Sequence, residues 1–159
     1  MAKSKRKRNK LLTYIKYGAI LFAVVGIIMA VFSYVNYGDT AFSGFQVIFG
    51  YTGKASIFGI LISTNVLSFS IVALLAIVLP LVGSFSIICK NKIVKLIGAL
   101  MMIAGAVLCF LMPNFVVYSS DAIATAASLV SASLGVGAIL SVVFFSLGAL
   151  CNLYAVVEK

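Results

Sequence analysis

A block of basic residues followed at once by an apolar run constrains the fold of this chain more than any other feature. Seven of its twelve Lys and Arg lie at or before Lys16, and the apolar residues 17–37 follow directly. About 20 helical residues cross the hydrocarbon core of a bilayer, and positive charge beside such a run keeps that end in the cytoplasm. The pattern predicts a basic cytoplasmic arm at residues 1–16 and a first transmembrane helix at 17–37.

The composition favours a membrane-embedded chain over a soluble domain. Hydrophobic residues make up 64% of the 159 residues and charged residues 9%, whereas soluble domains average about 45–50% apolar and about 25% charged residues. Three further apolar runs are long enough to span a bilayer. The predicted fold is an all-α membrane protein, a four-transmembrane-helix antiparallel bundle with both termini inside. Residues 17–159 form its single transmembrane domain, with spans at about 17–37, 66–88, 93–112 and 134–157.

The distribution of charge predicts the orientation of the four spans. Eleven of the twelve Lys and Arg fall in segments assigned to the inside, and Lys54 is the exception. Lys and Arg in short loops set orientation, so we expect a cell-membrane protein with a cytoplasmic N-terminus. This bias accounts for the net charge of +9 without nucleic acid as a partner. We expect the arm to contact anionic lipid through Lys3, Lys5, Arg6, Lys7, Arg8 and Lys10.

The first outer loop, at residues 38–65, is unusually apolar for a segment that faces water. Ser43 and Gln46 have the spacing of a capping box, and Gly50 is a helix stop. Together they predict a short helix near 44–49 that lies at the membrane surface. Exposed apolar patches often mark partner or lipid sites. The residues predicted to contact a partner or lipid are Phe42, Phe45, Ile48 and Phe49.

A β-hairpin is the competing hypothesis for the same loop. Apolar residues alternate from Phe45 to Tyr51, a turn could form at 52–54, and residues 55–62 could pair back. A lone hairpin is marginal in water, so the helix is preferred. Residues 55–65 are expected either to dip into the outer leaflet or to extend the second span.

Small and polar residues in the spans predict helix packing. Pro80 should kink the second span, and the carbonyl that it frees should be taken up by a neighbouring helix or by a serine side chain, with Ser84 and Ser86 nearby. Gly98 and Gly105 lie seven residues apart and predict a close helix contact in the third span. Further small or polar positions follow in the second outer segment and the fourth span. Ser119 or Ser120 should cap a helix that leans on the outer surface or continues into the fourth span. Ser133, Gly137 and Ser141 form a small polar stripe in the fourth span that suits helix contact. Asn152 should bond a neighbouring helix rather than a substrate.

The sequence lacks the usual chemistry of catalysis. It contains no His, its three Cys have no paired spacing, and its three acidic residues all lie outside the predicted spans. His is the commonest general base and metal ligand, and buried charges usually mark ion or proton pathways. We therefore expect neither an enzyme, nor a bound metal or cofactor, nor a transporter built on buried carboxylates.

The order of four parts of the chain carries a resemblance to known membrane proteins. The basic tail, the first span, residues 43–50 (SGFQVIFG) and residues 79–83 (LPLVG) follow one another. This order resembles that of uncharacterised small four-span proteins of Gram-positive and wall-less bacteria, a resemblance that implies no activity. The layout is also similar to that of claudins. Because the chain has no Trp and no outer cysteine pair, no claudin property is transferred to it.

These observations favour a non-catalytic multi-pass membrane protein, an accessory or small subunit that acts through helix packing and its apolar outer loop. Its expected partners are membrane lipids and another membrane protein or a second copy of itself. The alternative is an oligomeric channel or carrier for a small neutral solute. In that case Ser133, Ser141 and Asn152 would line the path, because hydroxyls can supply selectivity without charge.

Overall fold

A computed structural model describes the backbone of residues 2–57 and 60–157 and the side chains of residues 13–54 and 63–157. Within these ranges the chain is mostly helical, with five short strands. The helices are α1 (Ala2–Ile28), α2 (Gly44–Phe49), α3 (Ile71–Phe85), α4 (Lys92–Phe110), α5 (Asp121–Ser128) and α6 (Val136–Val157). The strands are β1 (Ser33–Tyr37), β2 (Thr40–Ser43), β3 (Tyr51–Ile57), β4 (Ile60–Leu67) and β5 (Ala132–Leu134).

Four of the helical segments are long and apolar enough to cross a membrane. They are Thr13–Val31, Ile71–Ile88, Lys92–Phe110 and Val136–Val157. Each packs against two of the others in the order α1, α3, α4, α6 and back to α1. Only 22–39% of the most apolar stretch of each is buried inside the protein. Most of the apolar surface of these helices therefore faces outward, as expected of helices whose solvent is lipid.

The prediction of an all-α fold is wrong, because the connections at one end of the long helices form two small sheets. The first has the strand order β2-β1-β5, and both of its pairings are antiparallel. The second is the hairpin of β3 and β4, in which Lys54 lies opposite Ser63. Aromatic and β-branched residues are frequent in β1, and Gly38 supplies a φ of +56° in the turn to β2. Aromatic and β-branched residues favour a pleated backbone over a helix.

The sheets also shorten three of the predicted spans at this end of the molecule. The first predicted span, 17–37, includes β1, the second, 66–88, includes the end of β4, and the fourth, 134–157, includes the end of β5. Apolar residues continue from each helix into the adjoining strand, so hydropathy alone does not mark the boundary. The third span matches its prediction more closely. It was predicted at 93–112, and the structure has α4 at Lys92–Phe110, followed by a 3₁₀ turn at Met112–Phe115.

The loop at residues 38–65 contains both of the structures that the sequence analysis treated as alternatives. The preferred helix is present as α2, and a hairpin follows it. The hairpin strands lie further along the chain than predicted, since residues 52–54 belong to β3. Residues 55–57 and 60–65 are in strands, so they do not extend the second span as helix.

The strands, α2, α5 and their connections form one unit, here called the cap (residues 32–70 and 111–135). Strand β1 pairs with β5, and Ser68 N donates to Val117 O at 2.8 Å. Ser119 N donates to Val66 O at 3.2 Å, so the two halves of the cap are joined at two places. Ser120, one of the two predicted candidates, caps α5, but β5 lies between α5 and α6, so α5 does not continue into the fourth span.

Glycines bring α3 and α4 into close contact at the predicted positions. A Cβ on Gly105 would overlap the Pro80 ring, and one on Gly98 would overlap Ser86. Pro80 lies inside α3 and frees the carbonyl of Ala76, four residues before it. That carbonyl accepts from Cys109 Sγ at 3.8 Å, whereas Ser84 and Ser86 bond Leu81 and Gly83. Of the two predicted ways to satisfy the carbonyl, the structure has the one that uses a neighbouring helix, and the two serines, which follow the proline, do not take part.

Candidate contact surface on the cap

The capping box predicted from sequence starts α2. Ser43 N donates to Gln46 Oε1 at 2.9 Å, and Gln46 N donates to Ser43 Oγ at 3.3 Å. The helix ends at Gly50, whose φ of +92° disfavours any residue with a Cβ. A Cβ there would also approach Leu67 O to 2.7 Å. Both ends of this six-residue helix are thus determined by local sequence.

Contacts on one face of α2 place the helix between the ends of α1 and α3. Gly44 lies against Ala30 and Tyr34, where an added Cβ would come within 2.9 Å of the Ala30 Cβ. Ser70, the N-cap of α3, donates its N–H to Ile48 O at 3.0 Å. Val47 and Ile48 are buried in the core on this face. The helix is therefore fixed in position at the junction between the cap and the long helices.

The four predicted contact residues divide into an interior pair and an exposed pair. Phe42 and Ile48 are buried in the core, where Phe42 packs edge-to-face on Tyr51 at 5.6 Å between ring centroids. They hold α2 in place and are not available to a partner. Phe45 and Phe49 are 41% and 67% exposed, and their rings stack at 6.4 Å with an interplanar angle of 10°.

The neighbouring ends of α1 and α3 extend this exposed apolar surface. Val31 and Phe32 follow α1, Phe69 and Ile71 lie at the start of α3, and all four are more than half exposed. Helix α2 packs against both of these junctions. We call the surface the phenylalanine face; it comprises Val31, Phe32, Phe45, Phe49, Phe69 and Ile71.

The arm residues predicted to contact anionic lipid are only partly covered by the structure. Residues 2–12 are helical and continuous with the first long helix, so the arm begins as part of α1. The side chains of Lys3, Lys5, Arg6, Lys7, Arg8 and Lys10 lie outside the described residues.

The polar residues proposed for a solute path are separated from one another. Ser141 and Asn152 are fully buried and bonded to neighbouring helices, whereas Ser133 lies on β5 in the cap. Ser141 Oγ donates to Gly26 O at 2.7 Å, and Asn152 Nδ2 donates to Gly83 O at 3.2 Å. Asn152 thus bonds a neighbouring helix, as predicted. Asn152 Oδ1 has no hydrogen-bond partner within the described residues.

Two tyrosine hydrogen bonds, neither of them predicted from sequence, hold the cap to α6 and to itself. The Tyr34 hydroxyl lies 2.5 Å from Ser141 Oγ, and Tyr118 donates to the Tyr37 hydroxyl at 2.6 Å. Burial raises the pKa of Tyr34 above its ordinary value. Burial also raises the pKa of Tyr37, and the bond with Tyr118 adds to the effect. No local pattern in the sequence indicates the partners of Tyr34 and Tyr37, which lie 107 and 81 residues away.

The cysteines are dispersed. Cys89 is exposed at the turn between α3 and α4, Cys109 is buried in α4, and Cys151 is half-buried in α6. Within the part of the chain that the structure describes, no three His, Cys, Asp or Glu residues are close enough together to hold a metal ion.

Comparisons of the chain with protein-family models, with curated proteins and with solved structures gave no match. The fold and the phenylalanine face are therefore the basis for a functional proposal.

Proposed function

We propose that this chain is a non-catalytic, multi-pass protein of the cell membrane, an accessory or small subunit that acts through helix packing and through its cap. The observation that carries the proposal is the set of four helices long and apolar enough to cross a bilayer, with most of their apolar surface exposed. In water this surface would be unfavourable, whereas lipid can cover it without cost to the fold.

The charge distribution supports a cytoplasmic N-terminus. The arm, the turn at Cys89–Asn91 and the start of α4 lie at the end of the long helices opposite the cap. Ten of the twelve Lys and Arg of the sequence belong to the arm or to residues 90–95, whereas Lys54 is in the cap. By the positive-inside rule the arm end is cytoplasmic and the cap is outside. The arm then faces the anionic cytoplasmic leaflet, where each nearby Lys or Arg contributes about 1 kcal/mol to lipid binding.

The hydrogen bonds of the buried polar side chains support an accessory role. The buried hydroxyl of Ser141 and the amide nitrogen of Asn152 bond backbone carbonyls of other helices and hold the helices together. The sequence has no His, the commonest general base. The phenylalanine face leaves the cap with an exposed apolar surface of the kind that contacts lipid or another membrane protein.

Native Cys89 and one added cysteine test the orientation. Cys89 is exposed at the arm end, and Thr64 is exposed on β4 in the cap. In intact cells, a membrane-impermeant maleimide should label Thr64→Cys but should label Cys89 only after permeabilisation. The unaltered chain is the matched control for the added thiol. Labelling of Cys89 in intact cells, or recovery of the chain in the soluble fraction, would overturn the proposal.

The accessory role is tested by isolating the chain with what it binds. We expect a mild-detergent pulldown, followed by mass spectrometry of proteins and lipids, to recover a stoichiometric membrane-protein partner or a second copy. Reconstituted chain should pass no small neutral solute through liposomes. Solute passage that Ser141→Leu abolishes would instead support the channel alternative.

A further inference from the structure

The centre of the phenylalanine face, Phe45 and Phe49, lies on a helix that is apolar on both sides. The sequence of α2 is GFQVIF, and its one polar side chain, Gln46, is engaged in the capping box. Val47 and Ile48 point into the core, and Phe45 and Phe49 point out. A surface helix of a soluble domain carries polar residues on its outward side. The outward side of α2 therefore suits an apolar environment better than water.

The segments that flank α2 in the sequence also contain few charged residues. No charged residue occurs between Asp39 and Lys54 or between Lys54 and Lys90. Helix α2 packs against the end of the first long helical segment and against α3, and the ends of both carry exposed apolar side chains, Val31 and Phe32 on the first and Phe69 and Ile71 on the second. The phenylalanine face is therefore continuous with the exposed apolar surfaces of α1 and α3, and whatever covers those surfaces also reaches α2.

Lipid fits this face better than a second protein does. Specific protein interfaces carry about one hydrogen bond per 100–200 Å² of buried surface. The six side chains of the phenylalanine face have no hydrogen-bonding group. Acyl chains need no such group. A short helix held beside a span by Ser70 N–H to Ile48 O has the position of an interfacial anchor.

We propose that α2 is an interfacial anchor, with Phe45 and Phe49 inserted among the acyl chains of the leaflet at the cap end, just below the headgroups. The anchor sets the depth at which the cap rests on the bilayer. This inference depends on the proposed function, since it requires the long helices to span that bilayer.

The absence of Trp from the sequence makes the test direct. Single-Trp variants give one fluorophore each, and their depth is measured in nanodiscs whose lipids carry bromine either near the headgroup or at the chain end. The reporter on the proposed anchor is Phe49→Trp. The matched control on the cap is Thr64→Trp, on a polar, exposed part of β4. The control on a span is Leu100→Trp, near the middle of α4, where the side chain is exposed.

We expect the Phe49→Trp emission to be blue-shifted and to lose at least half of its intensity to bromine near the headgroup, with less loss to bromine at the chain end. Thr64→Trp should be quenched by neither lipid, and Leu100→Trp should be quenched most by the chain-end lipid. Replacing Phe45 with Ser in the Phe49→Trp variant should weaken the quenching, because the stacked ring that supports insertion is lost.

Two results at Phe49→Trp would overturn the anchor. A blue-shifted but unquenched signal would mean that protein covers the face, and an unshifted, unquenched signal would mean that water does. Either result is compatible with spanning helices if Leu100→Trp is quenched. An unquenched Leu100→Trp would instead refute the proposed function itself, so the two failures are distinguishable.

Discussion

Tyr34 is the side chain that joins the cap to the helices. It is fully buried in β1, and its hydroxyl meets Ser141 Oγ, which in turn donates to Gly26 O. One chain of hydrogen bonds thus joins a strand of the cap, α6 and α1. The geometry satisfies both hydroxyls in a region where an unpaired polar group is costly.

Tyr34→Phe should lower the free energy of unfolding by about 1 kcal/mol, the typical net contribution of one buried hydrogen bond. Tyr14→Phe is the matched control, because Tyr14 is 72% exposed and surface changes usually stay within about 0.5 kcal/mol. Reversible unfolding of the purified protein in mixed micelles measures both. Equal stability of the two variants would show that the bond with Ser141 contributes nothing.

Tyr37 makes the stability of the cap depend on pH at the alkaline end. Burial and the bond from Tyr118 raise its pKa above the ordinary value of 10.0. A raised folded-state pKa gives stability that is complete below pH about 10 and is lost as the pH rises further, because only the unfolded state releases the proton readily. Unfolding measured from about pH 8 upwards should show this loss, and Tyr37→Phe should make the loss smaller. An unchanged pH profile in that variant would contradict the assignment.

At the scale of elements, the contact of α3 with α4 depends on glycine. Gly105→Ala should destabilise the protein by about 1–3 kcal/mol, the usual cost of overpacking, because the Pro80 ring occupies the space of the new Cβ. Gly18→Ala is the matched control in α1, where nothing lies within 4 Å of the added atom. It should be neutral or stabilising by up to about 1 kcal/mol, since Ala favours helix. Unfolding of both variants checks the contrast, and equal losses would contradict the packing argument.

Elements with a complete local signal were predictable from sequence. The capping box of α2, the Ser120 cap of α5 and the tight turn before Lys92 are each determined by a few adjacent residues. The exposure of Phe45 and Phe49, in contrast to the burial of Phe42 and Ile48, was not predictable. It depends on how α2 packs against residues outside its own segment, including Gly44 against Ala30 in the 3₁₀ turn that follows α1.

Strands β1 and β5 of the first sheet were missed for a related reason. Their apolar residues continue those of the long helices, so hydropathy merges β1 with α1 and β5 with α6. Strand pairing depends on a partner, and β5, one of the two partners of β1, lies about 100 residues away, with Asn36 opposite Ser133. Strand β5 has three residues, which are too few for an alternating apolar pattern to be recognised in the sequence.

At the scale of the whole molecule, the cap is closed by the pairing of β1 with β5. Cysteines at Asn36 and Ser133, introduced without the three native cysteines, should form a disulfide on oxidation, because directly opposed strand residues have Cα atoms about 4.5–5.5 Å apart. Faster migration on a denaturing gel, reversed by reductant, reports the link. The pair Asn36→Cys with Ser131→Cys is two residues out of register and should not link. Equal linkage of both pairs would contradict the register.

That pairing also has a consequence for the order of synthesis. A ribosome delivers residues 33–37 well before residues 132–134, so the central strand of the first sheet waits with one edge bare while the next two long helices are made. An unpaired edge is a template for adhesion to other chains. Closure of the sheet therefore marks a polypeptide that has been made through residue 134, and a bare β1 distinguishes the unfinished product from the finished one.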